Sequence, residues 1–256
     1  MAATPTELAR LRTHRRALFE RSTSRAVAFE HGTAYFTPAH PTKWDLNLLV
    51  VDDATGVSAE ALIAEAERLQ APAGLRHRKV EIHTGGDTLV DAFKAAGWSP
   101  ERLVVMLLRP DADHRGEASA PVREVEFPAV RGLMELWYGE AMSAAEASDL
   151  ADADADSALS SRARYFLTAR NGDPAACCML LAGDGIGQVE EVYTAKPHRG
   201  AGLASAVIRT AIAAARERGD DLIMILADAD DWPQRLYERL GFEAVDAYHS
   251  FTRKPH

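Results

Sequence analysis

The sequence predicts an α/β protein of the α+β type, made of two related domains in tandem, each a mixed sheet flanked by helices. Three observations carry that expectation. In the second half, strand-forming runs come first as a meander and then alternate with helical stretches, the order of a mixed sheet. The two halves close on similar segments, as a tandem repeat would. Between them, Pro110 to Pro121 is polar, bounded by prolines and flanked by apolar runs, so it reads as a linker. Domains are therefore expected at 1–110 and 122–256, with the linker at 111–121.

Taken in order, the first 25 residues are rich in arginine (Arg10, Arg12, Arg15, Arg16, Arg21, Arg25) but also carry Glu7 and Glu20. They read as a surface helix with Leu8, Leu11 and Leu18 on its buried side, and only weakly as an organellar presequence. Strand Leu46–Asp52 follows, then a capped helix within Asp53–Leu69, then a strand from Lys79 to His83. The half closes with a short helix from Asp91, the pair Gly97-Trp98, a strand, and Arg109-Pro110. The second half closes the same way: strand Leu222–Ala227, a helix through Arg235, the pair Gly241-Phe242, a strand, and Lys254-Pro255. Before that come strand Val122–Phe127, a helix from about Ala129 to Met142, and the acidic stretch Asp149–Asp156. Strands Tyr165–Ala169, Ala175–Leu181 and Gln188–Thr194 form the meander, and a long helix Leu203–Arg218 ends at Gly219, a residue that suits a helix C-terminus.

Composition narrows the function classes. Apolar residues make up 47% and charged residues 26%, the balance of a globular protein. With 38 acidic against 29 basic residues the net charge is -9, which argues against a nucleic-acid or anionic-membrane surface but leaves room for a local basic patch. No apolar run approaches the roughly 20 residues of a spanning helix. The cysteines are the adjacent pair Cys177 and Cys178 on an expected strand, whose side chains point to opposite faces, so no disulfide joins them. A reducing, cytoplasmic setting is expected.

Between the strand ending at Thr194 and the helix starting at Leu203 lies Arg199-Gly200-Ala201-Gly202-Leu203-Ala204. A strand, a glycine-rich turn and a helix whose first turn offers free N–H groups make an anion site. Gly200 and Gly202 let the backbone approach a phosphate closely, and Arg199 adds a cationic fork. Six residues are a weak motif by themselves. The dinucleotide fingerprint is absent, and so is the Gly-Lys-Ser/Thr of a P-loop. The segment Glu190–Arg209 and a second one starting some 30 residues after the start of the first, Leu222–Phe242 with its Leu236-Tyr237-Glu238-Arg239-Leu240-Gly241-Phe242, resemble the two diagnostic segments of the GNAT superfamily of N-acetyltransferases. The resemblance covers residues 122–256 and implies a mixed, mostly antiparallel sheet.

It further implies transfer of an acetyl group from acetyl-CoA to an amine of a small molecule or peptide, without a metal. The backbone amides of Arg199 to Ala204 would hold the pyrophosphate. Val192, Tyr193 and Thr194 would hydrogen-bond the pantetheine arm, with one N–H facing the thioester oxygen. Tyr237 matches the tyrosine that protonates the departing thiolate; a core aromatic reads the same way. Asp230 stands where the family often has an asparagine, and Asp231 with Gln234 reads as a capping box. Glu190 and Glu191 are the candidates for general base. Alternation sends them to opposite faces, and Glu190 fits the family position better. His198 is expected at the solvent or phosphate side, and the cysteines in the core.

The acidic stretch Asp149–Asp156 is expected to be a solvated loop, with an acceptor-attracting patch as the sharper reading. The first half has no counterpart of the cradle: after its strand there is one glycine, Gly56, with no arginine beside it, and Phe93 stands where the second half has Tyr237. It resembles a degenerate domain of the same family, so the chain is expected as a monomeric pseudo-dimer or a homodimer. An acyl-CoA sensor with little turnover is the alternative to an enzyme.

Overall fold

The computed structural model describes residues 3–110, 120–229 and 232–255. Most of the expected linker and both Asp230 and Asp231 lie outside them. Contacts divide the chain into two units that interleave along it. One comprises Met1–Leu18, Met106–Leu226 and Trp232–Val245, the other Phe19–Val105, Ala227–Asp231 and Asp246–His256.

Helix α1 (Pro5–Ser22) opens the chain, with Leu11 and Leu18 buried and Leu8 half-buried, as its pattern required. In the unit built mainly from the first half, β1 (Arg25–Phe29), β2 (Gly32–Phe36) and β3 (Leu48–Val51) form an antiparallel meander. Helix α2 (Ala59–Gln70), capped by the Ser58 hydroxyl, leads to β4 (Arg78–Ile82), which pairs parallel to β3. Helix α3 (Val90–Ala95) and β5 (Ser99–Leu108) follow. The strand beside β4 is not β5 but the end of the chain's last strand, β11 (Phe242–Arg253), antiparallel from His249↔Ile82 to Arg253↔Arg78. Its Phe251 is fully buried and stacks on Phe93 at 4.1 Å, while Trp98 meets Phe93 edge-on at 5.2 Å. Arg253 and Arg78 both pair with Glu67 of α2. The C-terminal residues thus complete a core made by the first half.

In the other unit β6 (Val122–Val125) is followed by α4 (Arg131–Tyr138) and α5 (Ala144–Ser161). Strands β7 (Arg164–Arg170), β8 (Asp173–Gly183) and β9 (Ile186–Thr194) make the expected meander. Its turns are Asn171-Gly172 and Asp184-Gly185, all four at positive φ between 53° and 93°. That is the type I′ geometry whose twist matches the flanking strands. Helix α6 (Leu203–Arg218) ends at left-handed Gly219 and returns to β10 (Leu222–Asp228), parallel to β9. Helix α7 (Pro233–Arg239) precedes β11. Arg10 of α1 forks onto Asp221 through two contacts of 2.7 Å.

The acidic stretch corrects the sequence reading: it is the middle of α5, not a loop. A capping box of Ser143 and Glu146 starts that helix, and alanines at 147, 151 and 153 give it a buried face. Asp154 is buried with them and accepts the Tyr138 hydroxyl at 2.5 Å. The count of aspartates hid the alanine spacing. Among the described residues no helix is long and apolar enough to cross a membrane.

Phe251→Ala is expected to destabilise the protein by about 3–5 kcal/mol in denaturant unfolding, because it empties a stacked core site. Leu159→Ala, at a position 82% exposed, is expected to stay within about 0.5 kcal/mol of the parent.

Candidate active site

The site is organised by β9. On one side its ladder with β10 runs from Leu222↔Ile186 to Ile225↔Val189. On the other its pairing with β8 continues to Ala176↔Thr194, but with a shift: Met179 faces Glu190 and Cys177 faces Tyr193. Two residues of β9, Glu191 and Val192, therefore oppose the single Cys178, and Glu191 sits at φ 51°. This is a β-bulge with a non-glycine residue in the left-handed region, a conformation held only where the surroundings enforce it. Glu190 to Thr194 consequently form a strand edge beyond the β10 ladder, among the described residues.

The bulge also corrects the alternation expected for Glu190 and Glu191, since strict period-two phasing does not pass through it. Cross-strand partners share a face, so Glu190 lies with Met179 and Tyr193 with Cys177. Met179, Cys177 and Tyr193 pack into one cluster with α4 and α5, which places Glu190 on the same side as Tyr193. Gly187 faces the other way: a Cβ there would meet that of Ala215 on α6 at 2.9 Å. Gln188 shares the Glu190 face, is 4% exposed, and donates from Nε2 to Glu190 Oε1 at 2.5 Å. Sequence reasoning missed Gln188, although its spacing of two from Glu190 was the available signal.

The chain leaves β9 at Thr194, is pinned by the Ala195 N–H on Ala175 O at 2.9 Å, and turns through Lys196–His198 into the glycine loop. Gly200 and Gly202 have φ of 77° and 76°. Gly202 caps α6 without a side-chain acceptor, and the first bond of the helix is Ala206 N–H to Gly202 O at 3.1 Å. The N–H groups of Leu203, Ala204 and Ser205 precede that bond and have no acceptor within the helix, which makes the concave, positive end expected of a phosphate cradle.

Arg199 is placed differently from the fork anticipated in the sequence. Its Nε donates to Thr194 O and its Nη2 to Glu140 Oε1, both at 3.0 Å, and it lies over the Tyr193 ring. Glu140, in the turn after α4, also accepts the Tyr193 hydroxyl at 3.0 Å and pairs with Lys196 at 3.2 Å. Burial and then this carboxylate push the Tyr193 phenol up to about 12. Against partial desolvation, the Tyr193 hydroxyl and Lys196 hold the Glu140 carboxyl below the usual range. Sequence reasoning gave Glu140 no role, because nothing in the chain order joins it to the cradle.

Tyr237 lies on α7, 6% exposed and edge-on to Phe242 at 6.3 Å. Its counterpart Phe93 is fully buried. The assignments for Asp230 and the Asp231 cap fall outside the described residues; Gln234 reaches Glu238 at 3.5 Å. Cys177 and Cys178 are free and buried, and burial, with the charge of Glu191, pushes the Cys177 thiol up to about 12. They are core residues, as expected.

Residues 130–242 match the family model described as the acetyltransferase (GNAT) family. This stretch of the chain is a GNAT domain. No curated protein sequence matches the chain. Among solved structures, a conserved protein of unknown function from Staphylococcus epidermidis is similar over 91% of this chain and 94% of its own, with a TM-score of 0.74 and 11% identity. A GCN5-related N-acetyltransferase from Kribbella flavida is similar over 97% and 95%, with a TM-score of 0.66 and 19% identity. A tandem GNAT protein from the clavulanic acid biosynthesis pathway is similar over 77% and 70%, with a TM-score of 0.55 and 16% identity. At these identities the likeness is one of fold, and it bears out the mixed, mostly antiparallel GNAT-type sheets.

At pH 8 a thiol with a pKa of about 12 is ionised in about one molecule in ten thousand. Neither cysteine of the native protein is therefore expected to react with an aromatic disulfide reagent at that pH. Both should react once denaturant exposes them, which a colorimetric thiol count would check.

Proposed function

We propose that the protein is an acetyl-CoA-dependent N-acetyltransferase acting on a primary amine of a small molecule or peptide, in a cytoplasmic setting. The observation that carries the reading is the junction of two features on one strand. The edge of β9 opens at Glu190, and the chain runs from it directly into left-handed glycines at the start of α6. An extended edge suits an amide-bearing arm, and a helix N-terminus suits a pyrophosphate. The residues therefore fit this donor, which supplies the acetyl group as an activated thioester.

In this reading the amides of Arg199, Gly200, Ala201, Gly202, Leu203 and Ala204 bind the pyrophosphate, with Arg199 held close by Thr194 and Glu140. Val192, Tyr193 and Thr194 align the arm, and one of their N–H groups stabilises negative charge developing on the thioester oxygen. Glu190 takes a proton from the amine, with Glu191 the second candidate. Tyr237 gives its phenolic proton to the leaving thiolate, a transfer that a neutral hydroxyl can make. Asp230 would border the donor site. The first half, with Phe93 in place of a tyrosine and no glycine cradle, we read as a degenerate GNAT domain and the chain as a monomeric pseudo-dimer.

Acetyl-CoA should raise the melting temperature and, with an amine panel, release free thiol; a thermal shift without release from any amine would favour the sensor reading. Gly202→Val puts a β-branched residue at φ 76°, so it should abolish the shift. Tyr237→Phe is expected to keep the shift and lower turnover by about 10²-fold or more. Unchanged turnover would remove Tyr237 as the acid.

A further inference from the structure

We propose that Gln188 positions Glu190 and accepts an N–H of the incoming amine, so that the site selects primary amines over their N-methyl counterparts. This deepens the reading of Glu190 as the general base and rests on it.

Gln188 precedes Glu190 by two residues on β9, so the side chains stand on one face. Its Nε2 donates to Glu190 Oε1 at 2.5 Å. Because a carboxylate oxygen only accepts, this contact also settles which end of the amide is which. The other end, Gln188 Oε1, is buried and has no hydrogen-bond partner among the described residues. Its cross-strand neighbours are Leu181 on β8 and Met224 on β10, neither of which has a proton to offer. Buried carbonyl oxygens are seldom left unmet, and those that are often serve a ligand. This one lies on the next-to-last pair of the β9–β10 ladder, two residues before the first residue of the open edge.

The attacking neutral primary amine carries two N–H bonds and a lone pair. As its nitrogen bonds to the thioester carbon, one N–H bond breaks, its proton passing to Glu190 Oε2 while the electron pair stays on nitrogen. The thiolate leaves with a proton from Tyr237. The second N–H donates to Gln188 Oε1. Two anchors on one strand then fix the direction of the lone pair, which a single carboxylate cannot do. An N-methyl amine has one N–H fewer and sets a methyl group against one of the anchors. The titratable groups on and beside this face are Glu191, Cys177 and Tyr193 on the sheet and Asp154 on α5, held by Tyr138. Of the hydroxyls there, that of Tyr193 donates to Glu140 and that of Tyr138 to Asp154.

Two measurements on the full chain test the proposal. With glutamate labelled at the side-chain carboxyl carbon, the Glu190 resonance is the one lost in Glu190→Gln. Its titration midpoint should rise by about one unit in Gln188→Met, which removes the donor at similar volume. If that variant does not fold, Gln188→Glu keeps the length and should raise the midpoint further, through like charge. A midpoint that stays in place overturns the positioning role. In thiol-release assays, primary amines should exceed their N-methyl counterparts by about tenfold or more, and Gln188→Met should shrink that ratio severalfold while raising KM. An undiminished ratio overturns the amine contact. Full turnover in Glu190→Gln would instead overturn the base reading, and the carboxyl titration would still decide the pairing.

Discussion

Between Val189 and Glu190 the ladder that joins β9 to β10 stops, while the ladder that joins β9 to β8 carries on. The rest of the site depends on that parting. A regular strand would keep both ladders to its end and have no edge to offer. The extra residue at Glu191, held at φ 51°, bends β9 away from one neighbour without detaching it from the other. The same extra residue shifts the phase of the strand, so that Glu190 and Tyr193, three apart, share a face that alternation would have denied them. Close packing of α6 on the opposite face through Gly187 then sets where the helix start and its glycines stand.

A second constraint is where the chain's last strand ends. Each half ends in a helix, a glycine with an aromatic, and a strand, and each of those strands is buried over consecutive residues, Val104–Leu107 in one and Ser250–Thr252 in the other. The end of β11 takes the place beside β4. Phe251 then stacks on Phe93, the residue that stands where the second half has Tyr237. One of the two matching positions holds a stacked core aromatic, and the other a tyrosine.

Much of the local structure was legible because it follows from short-range rules. The helix Leu203–Arg218 with its glycine stop, the meander, and the hairpin at Asp184-Gly185 all come from spacing and left-handed turn residues. The acidic stretch was misread because its charge was weighed and its alanine periodicity was not. Asp154 then found a partner in Tyr138, which only the packing of α4 against α5 supplies.

What the sequence determined by itself was the type of fold, the location of the phosphate-type loop in the second half, and the residue types at Glu190 and Tyr237. Each rests on neighbours along the chain. The tertiary structure decided what depends on partners far apart in sequence. Those are the bulge that re-phases β9, the Glu140 carboxylate on Arg199 and Tyr193, the Gln188 amide fixed on Glu190, and the end of β11 beside β4. A bulge is a competition between two ladders, and a strand's partner is a choice among edges; neither is written in the periodicity of a single segment.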